Sequence, residues 1–260
     1  MTSPLDRCPF CSARKAGYAS AALKLSLCRR CGLRFRNPQP TDEELDQIYR
    51  DAYAEDEVAK GSEDMAGTTD AIAVQYADQL NRHEPLSGRR IVDYGAGLGS
   101  MSRALAEAGA VVAAVDPFSA AELRKQGLDA HESIEALSAD APFDGCTAIE
   151  VFEHLRKPWE TMAQIRSLMR PGGFLLITTP NIEGLKPRLS LDGWSEATDL
   201  AHLFLFSPKS LELALDKAGY SRWKRLRRPV RFSNGAAANA ARAVLQTTGL
   251  DGQLRYIAWS

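Results

Sequence analysis

Two Cys-x-x-Cys pairs, Cys8/Cys11 and Cys28/Cys31, open the chain in the pattern Cys-x2-Cys-x16-Cys-x2-Cys. Four thiolates at this spacing fit a tetrahedral zinc site, each pair on its own tight turn. Pro9 stiffens the first turn, and Gly32 lets the backbone curl past Cys31. The rival reading, two redox dithiols, lacks a thioredoxin-like βαβ context around the pairs. Four thiolate ligands would close the coordination sphere, so the expected Zn2+ is structural. It would hold together a segment too short to fold on its own core.

A second constraint is the run I-V-D-Y-G-A-G-L-G-S (Ile91–Ser100). Ile91-Val92 reads as the end of a buried strand, followed by Asp93 and then Gly95-x-Gly97-x-Gly99. Such a turn lets a ligand approach the backbone with a helix N-terminus behind it, as nucleotide-type cofactors require. A dinucleotide fingerprint would want glycine at 100, where Ser100 stands. Asp116 ends the next apolar run, where a carboxylate can accept bonds from ribose hydroxyls. Taken alone, Asp116-Pro117 is also a plain turn at a strand end.

Composition narrows the class. A net charge of −1 supplies no global field for nucleic acid or anionic membrane. Met1–Lys15 is polar and broken by Pro4 and Pro9, so it has no secretory apolar core. No apolar run approaches the roughly 20 residues of a bilayer span. Cysteines in ligand spacing, with Cys146 left single, favour a reducing compartment. The expectation is a soluble cytoplasmic protein.

The chain divides into a zinc-binding module (1–40), a helical linker (41–86), a large domain (87–232) and a C-terminal extension (233–260). Thr41 and Glu44 form a capping box for a helix carrying Leu45, Ile48 and Tyr49 on one face. Glu55–Asp70 reads as an acidic mobile loop. A helix over Ile72–Leu86 would turn Ile72, Tyr76, Leu80 and His83 inward. Strands at Arg90–Tyr94, Val111–Asp116, Thr147–Val151 and Phe174–Thr178 alternate with helical patterns. That alternation predicts a parallel sheet with right-handed crossovers. Ser221–Phe232 could supply late antiparallel strands, and Ala236–Val244 a short helix. Trp159, Met162, Ile165 and Met169 at helical spacing, and Cys146, read as core.

The glycine run resembles that of the class I S-adenosylmethionine-dependent methyltransferases. F-D-G-C-T-A-I-E-V-F-E-H-L (Phe143–Leu155) and M-R-P-G-G-F-L-L-I-T-T-P-N (Met169–Asn181) resemble that family's fourth- and fifth-strand motifs. A-H-L-F-L-F-S-P-K-S-L (Ala201–Leu211) resembles a late segment of one branch. The likeness spans about Ser87–Tyr220. It implies an α/β fold, a Rossmann-like doubly wound, mostly parallel sheet with an antiparallel C-terminal strand, plus a small zinc-ribbon-like module. It implies S-adenosyl-L-methionine as cofactor, bound by Asp93, Gly95, Gly97, Gly99 and Asp116, with Glu150 near its methionine part and Glu132 near the adenine. Tyr94 departs from the small aliphatic residue usual in that loop. The prefix C-P-F-C…C-R-R-C-G-L-R-F-R-N-P-Q-P-T-D-E-E-L resembles that of bacterial methyltransferases of polysaccharide, sugar and natural-product pathways. Some of these carry a further large C-terminal domain, which does not follow here.

Methyl transfer is an in-line displacement that needs alignment and exclusion of water. A hydroxyl acceptor must also lose its proton, which a nearby imidazole or carboxylate assists. His154, beside Glu153 and Glu150, is a candidate base; equally, it could cap a helix or bond backbone near the cofactor. His202 and Asp199 form a second candidate pair, with Trp194 as a pocket wall, although H-L-F-L-F is also a plausible buried strand. The leading reading is a methyltransferase acting on a hydroxyl of a small molecule or glycan. A second is an RNA methyltransferase, suggested by R-W-K-R-L-R-R-P-V-R (222–231) and by Arg7, Arg14, Lys15, Lys24, Arg29, Arg30, Arg34 and Arg36. A third is a non-catalytic scaffold, against which the intact loop glycines and both aspartates speak. Oligomeric state is not legible.

Overall fold

The computed structural model describes residues 2–14, 17–59, 63–231 and 235–260, without the side chains of 52–59 and 63–68. Lys15, and Phe232 at the end of the expected late strands, lie outside the described residues.

The N-terminal segment forms three short strands, β1 (Tyr18–Ser20), β2 (Leu25–Leu27) and β3 (Arg34–Arg36). Two long helices follow, α1 (Asp42–Ala59) and α2 (Glu63–Asn81). The α1 cap is as its sequence predicts: the Thr41 amide donates to Glu44 Oε2 at 2.7 Å and the Glu44 amide to Thr41 Oγ1 at 3.2 Å. The loop expected over Glu55–Asp70 is instead helical up to residue 59 and again from 63; residues 60–62 lie outside the described set. The second helix ends at Asn81 rather than Leu86. Pro85 cannot continue it, and Asn81 Oδ1 accepts the Leu86 amide at 2.9 Å. Tyr76 and Leu80 are buried as expected, while His83, beyond the last turn, is exposed.

The rest alternates: β4 (Arg90–Tyr94), α3 (Ser100–Glu107), β5 (Val111–Val115), α4 (Ala120–Lys125), β6 (Ala130–His131), β7 (Phe143–Ile149), α5 (Pro158–Ser167) and β8 (Met169–Pro180). Short helices α6 (Leu185–Leu189) and α7 (Ser195–Thr198) lead to β9 (Phe204–Leu205), α8 (Pro208–Lys217), β10 (Arg222–Arg225), α9 (Ala236–Thr248) and β11 (Gln253–Trp259). The main sheet runs β6-β5-β4-β7-β8-β11-β10, and β6 to β8 are parallel. β11 is antiparallel to both of its neighbours, so β10 again follows the direction of β8. The segment expected as a C-terminal extension therefore fills the sheet: β11 pairs with β8 along its whole length, Gln253↔Pro180 to Trp259↔Phe174.

Alternate residues along each strand bury opposite faces. Ile91 and Leu176 pack with Tyr76, Leu80, Met101 and Leu105 on one side. Val92, Cys146, Leu175 and Ile177 pack on the other with Trp159, Met162, Ile165 and Leu211. Phe10, Leu33 and Phe35 of the cysteine module join this second cluster.

The module is tied in further. β9 adds to its sheet, giving β1-β2-β3-β9 with Arg34 opposite Leu205 and Phe35 opposite Phe204. The H-L-F-L-F segment is thus a buried strand, and it belongs to the cysteine module's sheet. Arg36, only 3% exposed, donates to the carbonyls of Leu23 and Ala197, both at 2.8 Å, and of Asp199.

Candidate functional site

The four cysteines converge. Sγ of Cys8 lies 3.7 Å from that of Cys31, and Cys11 Sγ lies 3.5 Å from Cys28 Sγ. A tetrahedron with metal–sulfur bonds of 2.3 Å has edges of about 3.8 Å, whereas a disulfide needs about 2.05 Å. The donor set therefore fits a zinc ion and not a pair of disulfides. Each pair sits on a tight turn, closed by Ser12 N–H to Cys8 O at 2.9 Å and Gly32 N–H to Cys28 O at 2.8 Å. Gly32 has φ +80°, and a Cβ there would meet Ser207 Oγ at 2.8 Å, so glycine serves both the turn and the packing.

At the C-terminal edge of the parallel strands lies a cleft of about 600 Å³. This is where open α/β sheets bind ligands. Its walls include Tyr94 and Gly95 from the end of β4, Asp116 and Phe118 after β5, and Glu150 and His154 after β7. Gly95, Gly97 and Gly99 all have positive φ, and space is open where a Cβ on Gly97 would stand. The Asp116 carboxylate is fixed by backbone: Oδ2 accepts Gly97 N–H at 3.0 Å, and Oδ1 accepts Phe118 and Ser119 N–H, each at 2.9 Å. Glu150, with φ +55°, accepts a bond from Gln253 Nε2 at 2.8 Å, so β11 orients a cleft residue. Burial raises the Glu150 pKa.

Asp93 differs. It is 1% exposed and accepts from Ser102 Oγ at 2.6 Å and Thr147 Oγ1 at 2.8 Å. Its carboxylate braces β4 against α3 and β7 from beneath the loop and does not line the cleft. Glu132 is on the surface, 3.3 Å from Arg124.

Helix α1 closes the cleft from the other side with Asp42, Leu45, Asp46 and Tyr49. The Tyr49 ring lies 5.3 Å from Phe118 and 6.0 Å from His154. Arg156 holds the start of α1 through Asp42 Oδ1 at 2.5 Å and Pro40 O at 2.8 Å. Sequence reasoning put Tyr49 on the inward face of α1 without giving it a site. It missed Phe118 and Arg156, for which the Asp-Pro-Phe turn after a strand was the one available signal.

Behind His154 stand His202 and Glu153. The two imidazoles are 4.6 Å apart, edge to face. His202 Nδ1 lies 2.9 Å from Glu196 O, and Nε2 lies 3.7 Å from Asp199 Oδ2. His154 lines the cleft; His202 and Asp199 do not. Burial, with His202 beside it, pulls the His154 pKa down to about 4. Trp194 packs with Leu25, Ile182, Ala197 and Leu205, away from the cleft. Among the proposed phosphate-binding arginines, Arg36 is buried in its carbonyl cage. Arg225 donates to Gly249 O at 2.9 Å, and Arg222 stacks 4.3 Å over Trp259.

A glycine-turn cleft at the carboxyl edge of a sheet with one antiparallel strand inserted next to last defines the methyltransferase class of α/β fold. The chain belongs to the methyltransferase domain family, whose model matches residues 69–224. It is 36% identical over 115 residues to a ubiquinone biosynthesis O-methyltransferase of Xylella fastidiosa (strain 9a5c), covering 40% of this chain and 47% of that protein. A protein of the same description from Xanthomonas campestris pv. campestris (strain B100) is 31% identical over 159 residues, covering 56% and 66%. The chain thus spans about half the length of the first of these relatives and just under two thirds of the second.

Two solved structures share the fold. The 1,6-didemethyltoxoflavin-N1-methyltransferase of Burkholderia thailandensis, solved with S-adenosylhomocysteine, superposes with a TM-score of 0.55 at 18% identity, covering 94% of this chain and 97% of that one. A SAM-dependent methyltransferase of Archaeoglobus fulgidus gives 0.52 at 19%, covering 72% and 94%.

Proposed function

We propose that this protein is an S-adenosylmethionine-dependent methyltransferase that methylates a hydroxyl of a small molecule or glycan. The observation that carries this reading is the cleft itself, where Gly95, Asp116, Glu150 and His154 share one wall beneath the α1 roof. The cofactor, when bound, supplies an electrophilic methyl group on a sulfonium. Asp116, its orientation already set by three backbone amides, accepts from the ribose hydroxyls. Glu150 faces the ammonium of the methionine part. Tyr49 and Phe118 cover the cleft and exclude water, which an in-line displacement requires. His154 stands at the acceptor end and orients the hydroxyl, with His202 and Asp199 as positioning residues behind it. The O-methyltransferase relatives support oxygen as the acceptor atom, and the resemblance of the cysteine prefix supports a sugar, polysaccharide or natural-product acceptor. Cys8, Cys11, Cys28 and Cys31 hold a structural zinc ion.

The RNA reading loses Arg36 and Arg225, whose guanidiniums are hydrogen-bonded to carbonyls within the fold. Among the described residues no helix is long and apolar enough to cross a membrane. The test is incubation with methyl-labelled S-adenosylmethionine and a cell extract, with and without ribonuclease. Label in ribonuclease-resistant small molecules or glycans is expected. Ribonuclease-sensitive label would transfer the assignment to RNA. Absence of cofactor binding by calorimetry would leave a scaffold.

A further inference from the structure

We infer a second metal site, distinct from the four cysteines, at Glu153, His154 and His202, taking one divalent first-row transition-metal ion. One ligand atom from each residue lies within 4.8 Å of the others. Glu153 is 0% exposed, and its Oε2 accepts a bond from Thr179 Oγ1 at 2.9 Å, but Oε1 has no partner. His154 Nδ1 is likewise buried without one. Buried polar atoms are almost always satisfied, so two orphans in one such cluster ask for a missing group.

His202 indicates what that group is. Its Nδ1 lies 2.9 Å from the Glu196 carbonyl, which can only accept, so Nδ1 carries the proton and Nε2 is left as a bare lone pair. That arrangement, one nitrogen donating to a carbonyl and the other free, is how metal-binding imidazoles are held. The bare Nε2 looks toward Asp199 Oδ2 at 3.7 Å, a second acceptor. Glu153 Oε1, His154 Nδ1 and His202 Nε2 can each present a lone pair within this cluster. A cation can accept all three at once, whereas a water molecule has only two protons to offer them.

The scaffold around the cluster is rigid. The Glu153 carbonyl accepts the amides of Leu203 and Phe204 at 2.9 and 3.1 Å, which locks the loop after β7 to the strand that joins the cysteine module. Arg36 holds Ala197 and Asp199 from the other side. Two imidazoles and one carboxylate suit zinc, iron, cobalt or manganese rather than calcium or magnesium. Three protein ligands leave a position for an oxygen. Binding of the ion needs neither cofactor nor acceptor. Only its role as the support behind His154 rests on the methyltransferase reading.

The experiment uses the full chain with its cysteine site saturated by zinc. Cobalt(II) is titrated in and followed by visible absorption and by metal analysis after dialysis. One further equivalent is expected, with the weak bands of nitrogen and oxygen ligands and no thiolate charge transfer. Glu153→Gln and His202→Gln are each expected to weaken this equivalent at least about ten-fold while the thiolate-bound zinc remains. A wild-type chain that takes up no further cobalt, zinc or manganese would overturn the proposal. So would unchanged affinity in both variants. Where a variant does not fold, the wild-type stoichiometry and the rise in its Tm on adding cobalt decide alone. S-adenosylmethionine binding is measured by calorimetry on the same samples, so a metal-binding chain that ignores the cofactor would sink the functional reading and leave this one standing.

Discussion

Arg36 bridges the cysteine module and the domain, and Arg36→Met tests how much that bridge contributes. The guanidinium is buried and satisfies three carbonyls, those of Leu23 in the module, Ala197 in α7 and Asp199 just after that helix. Methionine preserves the apolar stem and removes the donors. Hydrogen bonds from a charged group contribute about 1.5–3 kcal/mol each, so losing three has a gross cost of about 4–9 kcal/mol. Two effects reduce it. Burial has already cost the guanidinium part of its hydration and lowers its pKa, and methionine recovers that loss. The Asp199 carbonyl can also turn toward water, since its residue lies at a partly exposed edge. A net loss of about 2–5 kcal/mol remains, a large share of the 5–15 kcal/mol by which domains are stable. Urea unfolding of the zinc-loaded protein, followed by far-ultraviolet dichroism, measures it as a fall in the midpoint at constant m-value. A change under about 0.5 kcal/mol, the range of ordinary surface substitutions, would show that the three carbonyls are satisfied without Arg36 and that the module docks by apolar packing alone.

Tyr49→Ala should open the α1 roof and raise the Kd for S-adenosylmethionine about ten-fold by calorimetry, the effect of losing roughly 1.4 kcal/mol of ring packing. Tyr49→Phe should change it little, because the hydroxyl makes only a 3.4 Å bond to the His154 carbonyl. Asp116→Ala removes both the ribose acceptor and the acceptor for three backbone amides; cofactor binding should fall at least about ten-fold, with some loss of Tm. Stripping zinc with a chelator should unfold β1–β3 and loosen β9 with them, seen as increased amide exchange at Phe204 and Leu205. Asp144 gives a pH test. Burial alone would raise its pKa, but the Arg90 amide and the Arg170 and Arg89 guanidiniums outweigh it and hold the pKa below the usual carboxylate range. Its stabilisation is present above the unfolded-state pKa of about 3.9 and is lost as pH falls through the lower folded value, so Asp144→Asn should flatten that acid limb in urea titrations.

The legible parts of this molecule were those encoded locally. Glycines at 95, 97 and 99 declared a turn, the alternation of apolar runs declared the parallel sheet, and cysteine spacing declared a single four-sulfur cluster. What escaped was set by pairing between distant segments. β9 is two residues long and carries no turn signal of its own; its partner, β3, lies about 170 residues earlier. Gln253, which orients Glu150, belongs to a strand that inserts between β8 and β10 only after α9, so a boundary at 232 looked natural in the sequence. The carboxylate of Asp93 was misjudged for the opposite reason: its position by the loop is local and correct, but the direction of its side chain follows strand alternation into the core.

The cysteine module is built into the domain rather than appended to it. Its last strand pairs with β9, its Arg36 fixes the loop that bears His202 and Asp199, and the chain leaving it at Pro40 is gripped by Arg156 before becoming the α1 roof. The four thiolates would leave a bound ion no vacant position for substrate, and the module's own contacts run to β9, to the loop of His202 and, through Pro40, to the α1 roof. Disturbing the module is therefore expected to shift the start of the α1 roof, which Arg156 ties to the cleft wall.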